Sequence, residues 1–362
     1  MPTSPLKTHY RDDLVLFRDR WEFVGLFLAV ATVLVFPFIA NDHWLSLGVD
    51  VWIMIVGAVS MMVLTGFAGQ VSLGHAAFLA IGAYATAICS LSFGLPFWAA
   101  LPLGMVLCTI VGIVTGPFAL RLEGLYLAIV TIGLLFLVQH LLRNGLEIYY
   151  GKDYLHVPFN LLFVEPGSDP LGDLRYPYEI GPLTLAPTQI LYFVVAPISI
   201  VSIWICRNIQ RSNTGRAMMA VRDGELAAGA LGVDASRTKI LAFGISSAFA
   251  GLAGGLYALA HPVVTLEPFN LHMSVEFIAI VVLGGVGTTF GAVAGAIAFL
   301  LLHPLASQLG GVLPFPEAFS SEHRAALLFY PLLCIFLVIE PFGLYGLWLR
   351  VKRYFLAWPF SY

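Results

Sequence analysis

The sequence predicts an all-α fold, a polytopic membrane helix bundle of about ten passes, with short or broken helices and both termini in the cytoplasm. Three observations predict it. Of the 362 residues, 59% are hydrophobic and only 11% are charged, whereas a soluble domain carries about a quarter charged residues. Apolar runs of spanning length follow one another along the chain. Glycine clusters interrupt this pattern at two places.

Each candidate pass is a run of mostly apolar residues, because a helix needs about 20 of them to cross the hydrocarbon core. The runs are 21–40, 51–66, 71–90, 95–117, 122–142, 188–206, 239–260, 274–303 and 325–345. At about 1.5 Å per residue, the run 274–303 would be longer than the ~30 Å core if it were one straight helix. Its glycine-rich middle predicts a break, so it is either one pass or two short ones.

Basic residues predict the orientation, because lysine and arginine concentrate on the cytoplasmic side of membrane proteins. Most of the 18 lie in the head 1–20, in 207–239 and in the tail 350–362, so we expect these segments in the cytoplasm. Acidic residues predominate in 143–187, which predicts an external loop that acts as a lid or docking surface. Termini on one side require an even number of passes, and splitting the long run gives about ten. A single transmembrane domain over 21–349 is therefore predicted.

Glycines recur at helical spacing in two of the late runs. Gly251 and Gly255 share one helix stripe, and Gly287, Gly291 and Gly295 share another. Lipid supplies no hydrophobic force between helices, so small residues that let backbones approach closely hold such bundles together. These glycines predict close packing against protein neighbours, in this chain or in a partner.

The stretch TGFAGQVSLGHAAFLA places helix breakers at membrane depth. Gly66 and Gly69 bracket a predicted break. Three polar residues follow at once: Gln70, Ser72 and His75. Irregular backbone at this depth is stable only where protein or a water-filled cavity satisfies it. A second predicted break, 284–291, has the same glycine spacing. Paired interruptions in the two halves of a chain point to a transport path; the alternative is a structural loop at the cytoplasmic face.

The predicted cytoplasmic segment 207–239 contains a short predicted helix. Asp223 is its expected N-cap, Glu225 lies in its first turn and Gly232 ends it. The sequence ELAAGAL between them makes about two turns at ~3.6 residues each, which is too short to be stable alone. A short apolar helix flanked by arginines predicts docking into the groove of a partner. An amphipathic turn lying on lipid headgroups is the alternative.

Three motifs carry a resemblance to a known family: GQVSLGHAAFLAIGAYATA, RAMMAVRDGELAAGALGVDASRTKILAFGISSAFAGLAGGLYA and VVLGGVGTTFGAVAGA. They resemble the LivM-like permease subunits of branched-chain amino acid ABC importers. The resemblance implies a permease domain in the bacterial cytoplasmic (inner) membrane, paired with a second homologous permease subunit. It also implies two cytoplasmic ATPase subunits and an extracytoplasmic substrate-binding protein as partners.

The resemblance further implies that the short helix is the coupling helix that lies in the ATPase cleft. The residues assigned to this coupling role are Arg222, Asp223, Glu225, Ala227, Ala228 and Gly232. The general importer loop pattern is matched only in part, because its Ile-x-Leu-Pro end is missing here.

The sequence predicts no catalytic residue, no metal site and no cofactor in this chain. Its Gly151-Lys152 pair lacks the earlier glycine and the following Ser or Thr of a phosphate-binding loop. The resemblance therefore implies that partner ATPases bind ATP and Mg²⁺. The four acids near the membrane fall at the ends of predicted spans, which argues against an ion-coupled transporter: Glu22, Glu123, Glu276 and Glu340. A net charge of −3 indicates no nucleic-acid partner.

The predicted function is import of branched-chain or other hydrophobic amino acids along a path between two permeases. The expected path residues are Gln70, Ser72, His75 and Tyr84, although a lone polar residue in a bundle is often only a helix–helix hydrogen bond. Two alternatives stay open: a permease for urea or short amides in a sister ABC importer, and a stand-alone ion-coupled secondary transporter.

Overall fold

The structure is a computed structural model. It describes residues 20–122, 124–151, 154–163, 172–180, 183–312 and 342–356, together with 330–331, 334–335, 338 and 340. Almost all of the predicted cytoplasmic head, part of the tail and most of the predicted pass 325–345 lie outside the described residues.

The described chain is mostly helical. Its first half contains α1 (Arg20–Ile39), α2 (Asp42–Met61), a π-helical turn (Met62–Phe67) that continues α2, α3 (His75–Phe93), α4 (Phe97–Thr115), α5 (Phe118–Arg121) and α6 (Leu125–Tyr150). Its second half contains α7 (Pro187–Arg211), α8 (Asn213–Asp223), α9 (Glu225–Ala230), α10 (Ala235–Ala260), α11 (Leu271–Gly284), α12 (Thr289–Val312) and α13 (Gly343–Leu356).

Short strands interrupt the otherwise helical fold on the predicted external side. Strand β1 (Leu155–His156) pairs antiparallel with β4 (Val263–Val264), and β2 (Tyr178–Ile180) pairs with β3 (Leu183–Leu185). A 3₁₀ turn, Asp173–Arg175, lies between β1 and β2. The predicted external segment is thereby tied to the chain that leaves α10.

Six helices in the described chain are long and apolar enough to cross a membrane: α2 with its π-helical turn, α3, α4, α6, α7 and α10. Helices α11 and α12 form a pair bent by 117°, which makes seven if the pair is one span. The long run 274–303 is therefore broken, as its glycines predicted. The total of about ten passes stays a prediction.

Several helices extend beyond their predicted bounds, among them α2 and α6. Helix α2 begins at Asp42 rather than at 51. Its first turn carries the exposed Asp42 and His43, so an apolar run does not mark its start. Helix α6 continues to Tyr150, so the start of the predicted loop 143–187 is helical. Gly151, with φ of +62°, ends this helix in a left-handed cap.

Helices α2, α3 and α10 are the most buried of the spans, and α10 packs mainly on α3 and α4. Glycines make these contacts close. A Cβ atom at Gly251 would lie 2.6 Å from the Cβ of Cys108, and one at Gly255 would lie 2.7 Å from Thr86 Oγ1. Gly291 and Gly295 of α12 likewise pack against backbone carbonyls at the bend, so α11 and α12 stay in close contact.

Candidate functional site

The two interrupted segments meet in space. The first runs from the π-helical turn into Gly69, which has φ of +70°. In the second, Gly285 and Gly287 separate α11 from α12 with φ of +114° and +89°. Gly287 N–H donates to Met62 Sδ at 3.1 Å, and a Cβ atom at Gly66 would lie 3.0 Å from Gly287 N. We call this contact between the two interruptions the break junction.

Arg222, near the end of α8, reaches into the break junction. Its Nη1 donates to the carbonyl oxygen of Gly66 at 2.6 Å, and its Nε donates to Asp223 Oδ1 at 2.9 Å. Carbonyls at a helix C-terminus lack helical partners and carry partial negative charge, which a guanidinium satisfies. A Cβ atom at Gly69 would lie 2.6 Å from Arg222 Cγ, so glycine is needed there for close approach.

Gln210, near the end of α7, holds the other side of the break junction. Its Nε2 donates to the Gly287 carbonyl at 3.1 Å, and its Oε1 accepts from Thr289 Oγ1 at 2.9 Å. No motif in the sequence indicated this residue. The one available signal was its position, since it is an amide at the predicted cytoplasmic end of an apolar run. Thus both interruptions are hydrogen-bonded to the predicted cytoplasmic segment.

The predicted short helix is present as α9, but its start was wrongly assigned. Asp223 is the last residue of α8 rather than an N-cap, because α8 continues through it until extended backbone at Gly224 ends the helix. The C-terminal stop at Gly232 is confirmed, with φ of +86°. Gly232 N–H donates to Gly229 O, and Val233 N–H donates to Ala228 O, which is the Schellman pattern.

One face of α9 is fixed to the bundle and the other is exposed. Glu225 Oε2 accepts from Lys239 Nζ at 2.6 Å, and the Lys239 side chain is only 8% exposed. Ala228 is buried. On the other face, Leu226 is 92% exposed and Leu231 is 84% exposed; Ala227 is exposed with them.

A cavity of about 320 Å³ lies between α9, α10 and the first interruption. Its polar lining combines the predicted path residue Gln70 with the predicted coupling residues Arg222 and Glu225, and it also includes Lys239. The Gln70 side chain is buried, and neither of its amide atoms has a hydrogen-bond partner among the described residues. Buried amides usually have partners, so this amide is available to a polar molecule in the cavity.

The four predicted path residues do not come together. Ser72 is fully buried, and its hydroxyl also lacks a partner among the described residues. His75 Nε2 lies 2.6 Å from Ser60 Oγ at the start of α3. Tyr84 is fully buried further along α3, where its hydroxyl donates to the Val264 carbonyl at 3.5 Å. Their role in a path stays a prediction. Within the described chain, no three His, Cys, Asp or Glu side chains form a metal site.

The chain has several apolar helices of spanning length, and side chains from one polar segment join its two interruptions. These features define a polytopic membrane permease. Permeases are transport subunits rather than enzymes. The chain belongs to the family described as branched-chain amino acid transport system permease components, whose model matches residues 44–338.

Two relatives are similar over most of the chain. The high-affinity branched-chain amino acid transport system permease protein LivM of Escherichia coli (strain K12) is 34% identical over 292 residues, which cover 77% of this chain and 68% of the relative. The protein of the same name from Salmonella typhimurium is 33% identical over 290 residues, which cover 77% and 66%. No solved structure matches this chain.

Proposed function

We infer that this chain is the transmembrane permease subunit of an ATP-driven importer for branched-chain or other hydrophobic amino acids in the bacterial inner membrane. It forms half of the translocation path with a second, homologous permease. Two cytoplasmic ATPases bind ATP and Mg²⁺, and an extracytoplasmic binding protein delivers the amino acid. Both relatives are named as permeases of high-affinity branched-chain amino acid transport, which supports this assignment.

The observation that carries the proposal is the connection between α9 and the break junction. Helix α9 presents Leu226 and Leu231 away from the bundle, as a helix docked in the groove of a partner would. Helix α8 leads directly into α9, and Arg222 at its end is hydrogen-bonded to the first interruption. Gln210 ties the second interruption to the same segment.

This connection supports a mechanism for coupling. ATP binding closes the two ATPases and moves α9, and α8 moves with it. Arg222 then pulls on Gly66 while Gln210 pulls on Gly287, so both interruptions shift together. Interrupted helices form the substrate sites of many transporters, around which the flanking bundles rock. The proposed result is alternation between outward and inward access along a path that includes Gln70.

The same geometry supports the finer topology, with cytoplasmic termini and about ten passes. Helix α11 begins a few residues after β4, which pairs with the predicted external strand β1. It ends at the break junction, beside Arg222 of the predicted cytoplasmic segment. The two arms of the bent pair therefore fit two passes that meet at the inner surface.

The decisive experiment reconstitutes this chain with its second permease and two ATPases in liposomes and adds the binding protein. We expect uptake of labelled leucine that requires ATP on the side of the membrane that carries the ATPases. Uptake should also require both permeases and both ATPases. This chain alone, under a proton or sodium gradient, should give no uptake. Uptake by the chain alone would replace the importer with a secondary transporter. ATP-driven uptake of urea or short amides instead of leucine would overturn the substrate assignment.

A further inference from the structure

A second cavity, of about 410 Å³, lies at the end of the bundle opposite the break junction. It is formed by α2, the start of α7, the chain after α10 and the 3₁₀ turn. Its lining combines three ionisable residues with apolar ones, among them Asp50, Arg175, His261, Val49, Phe159 and Leu191. We call it the outer cavity. Small-molecule sites are typically concave, about 300–1,000 Å³ in volume, and lined by apolar groups with a few polar ones.

Asp50 is an unusual residue for its position. It lies inside α2, about 12 Å beyond Asp42 at ~1.5 Å per residue, in the sequence LGVDVWIM. Asp50 is not among the residues predicted from the sequence, because the predicted pass begins at Val51. Ionisable side chains inside a span are energetically costly and are usually functional. Asp50 forms no ion pair within 4.0 Å among the described residues, and it interacts electrostatically with the titratable His261, which lines the same cavity.

Arg175 brings the opposite charge to the outer cavity from outside the spans. Its turn is held in place, because Leu174 N–H donates to Phe159 O at 2.9 Å and Asp173 N–H donates to Asn160 Oδ1 at 3.0 Å. Arg175 Nη2 donates to Leu259 O at 2.8 Å, while its buried Nε has no partner among the described residues. Burial lowers the pKa of Arg175 to about 10, so the guanidinium remains protonated at neutral pH.

Opposite charges that face one cavity without pairing are unfavourable unless a ligand joins them. In a partly desolvated site each charge retains a strong field, and a molecule carrying both complementary charges satisfies the two at once. We propose that the outer cavity binds a zwitterionic α-amino acid with an apolar side chain. Asp50 binds its ammonium, Arg175 binds its carboxylate, and Val49, Phe159 and Leu191 contact its side chain.

This assignment rests on the proposed function and adds a substrate site to it. The substrate would explain why Asp50 and Arg175 line one cavity. An apolar pocket discriminates only weakly between hydrophobic molecules of similar size, whereas two opposite charges select molecules that carry both an ammonium and a carboxylate. A site in the permease itself would then check each molecule that the binding protein delivers.

The test uses the complex of two permeases and two ATPases in nanodiscs of phosphatidylglycerol, without nucleotide and without the binding protein. Labelled leucine is displaced by leucine, by 4-methylpentanoate, which lacks the ammonium, and by 3-methylbutylamine, which lacks the carboxylate. We expect Asp50→Asn to reduce the preference for leucine over 4-methylpentanoate about tenfold or more, and Arg175→Gln to do the same against the amine. Each preference is a ratio within one sample, so it does not depend on the folded fraction.

Matched controls are Asp42→Asn, which removes an exposed acid from the same helix outside the cavity, and Asp173→Asn, which alters the turn of Arg175. Both should keep the wild-type preferences. Preferences unchanged in Asp50→Asn and Arg175→Gln, or no saturable leucine binding by the wild type, would overturn the site. ATP-driven leucine uptake by the wild type would meanwhile leave the proposed function standing, and its absence would remove that function instead.

A zwitterionic lipid headgroup carries the same two charges. The binding experiment is therefore repeated with phosphatidylethanolamine added to the nanodiscs. If Asp50→Asn reduces the preference for leucine over 4-methylpentanoate equally with and without this lipid, the ligand is the free amino acid. An effect of Asp50→Asn that appears only when the lipid is present would assign the outer cavity to the headgroup and overturn the proposal.

Discussion

The two ends of the bundle use charged and polar side chains in different ways. At the inner end, Arg222 and Gln210 are hydrogen-bonded to backbone carbonyls, so their polar groups connect segments of the chain. At the outer end, Asp50 and Arg175 face one cavity without pairing with each other. The inner arrangement suits the transmission of movement, and the outer arrangement suits the binding of a charged ligand.

The two ends should therefore control two different properties, coupling to ATP hydrolysis and ligand preference, which a transport rate alone does not distinguish. Changes at the inner end should alter how well ATP hydrolysis drives uptake, with ligand preference unchanged. Changes at the outer end should alter preference, with assembly and ATP hydrolysis unchanged. Each of the following substitutions therefore needs both measurements.

The largest effect is expected from Glu225→Lys. It places a second ammonium beside Lys239, whose side chain is only 8% exposed. Like charges in contact cost several kcal/mol, and solvent reduces this cost here because the Glu225 side chain is 41% exposed. We expect α9 to leave its place on α10 and ATP-driven uptake in proteoliposomes to fall about a hundredfold. Leucine preference at the outer cavity should stay at the wild-type value.

Glu225→Gln is the matched control, because its amide oxygen still accepts from Lys239 Nζ. It should retain most of the uptake. Normal ATP-driven uptake by a stable Glu225→Lys complex would show that α9 has no part in coupling.

A smaller effect is expected from Leu226→Asp on the exposed face of α9. The new carboxylate would be desolvated in the interface without a partner, which costs about 2 kcal/mol or more, so affinity for the ATPase subunits should fall about thirtyfold. Thermal unfolding of the permease should not change, since Leu226 is 92% exposed. Pull-down titration of the ATPase subunits measures the affinity.

The control is Leu162→Asp, the same substitution at an exposed leucine of the predicted external segment. It should leave the ATPase affinity unchanged. If Leu226→Asp also binds the ATPases as tightly as the wild type, the docking face of α9 is wrongly assigned.

The smallest effect is expected from Arg222→Lys, which keeps the charge but replaces the planar guanidinium by a flexible ammonium. The bond to Gly66 O should weaken, while the partners remain assembled. We expect leucine molecules transported per ATP hydrolysed to fall about fivefold, within the usual range of coupling energies.

Combining Arg222→Lys with Gln210→Ala should add to this loss, because the two residues hold different interruptions. If the number of leucine molecules transported per ATP is unchanged in the double variant, the break junction does not transmit movement. Arg216→Lys, on an exposed side chain of the same helix, is the control.

The sequence predicted features that depend on neighbouring residues. Gly69 and Gly287 indicated the interruptions because glycines beside polar groups break helices, and Gly232 indicated the end of α9 because a left-handed cap favours glycine. The family followed from three motifs that include these same glycines.

Features that depend on distant segments could not be predicted. Arg222 and Gly66 meet only after folding, so a local pattern cannot pair them. Asp50 was overlooked because hydropathy placed the start of the pass after it. Ser72, His75 and Tyr84 are all fully buried. His75 meets Ser60 and Tyr84 meets the Val264 carbonyl, partners from other segments that no local pattern indicates.

The bare leucines of α9 also bear on how cells make this protein. A chain that has reached the membrane without its ATPases displays Leu226 and Leu231 to the cytosol, and exposed apolar residues of this kind invite aggregation and recognition by proteases. In the proposed complex an ATPase subunit covers them. Helix α9 would then also mark permeases that lack their ATPases, and removal of those permeases would match the number of permeases to the number of ATPases.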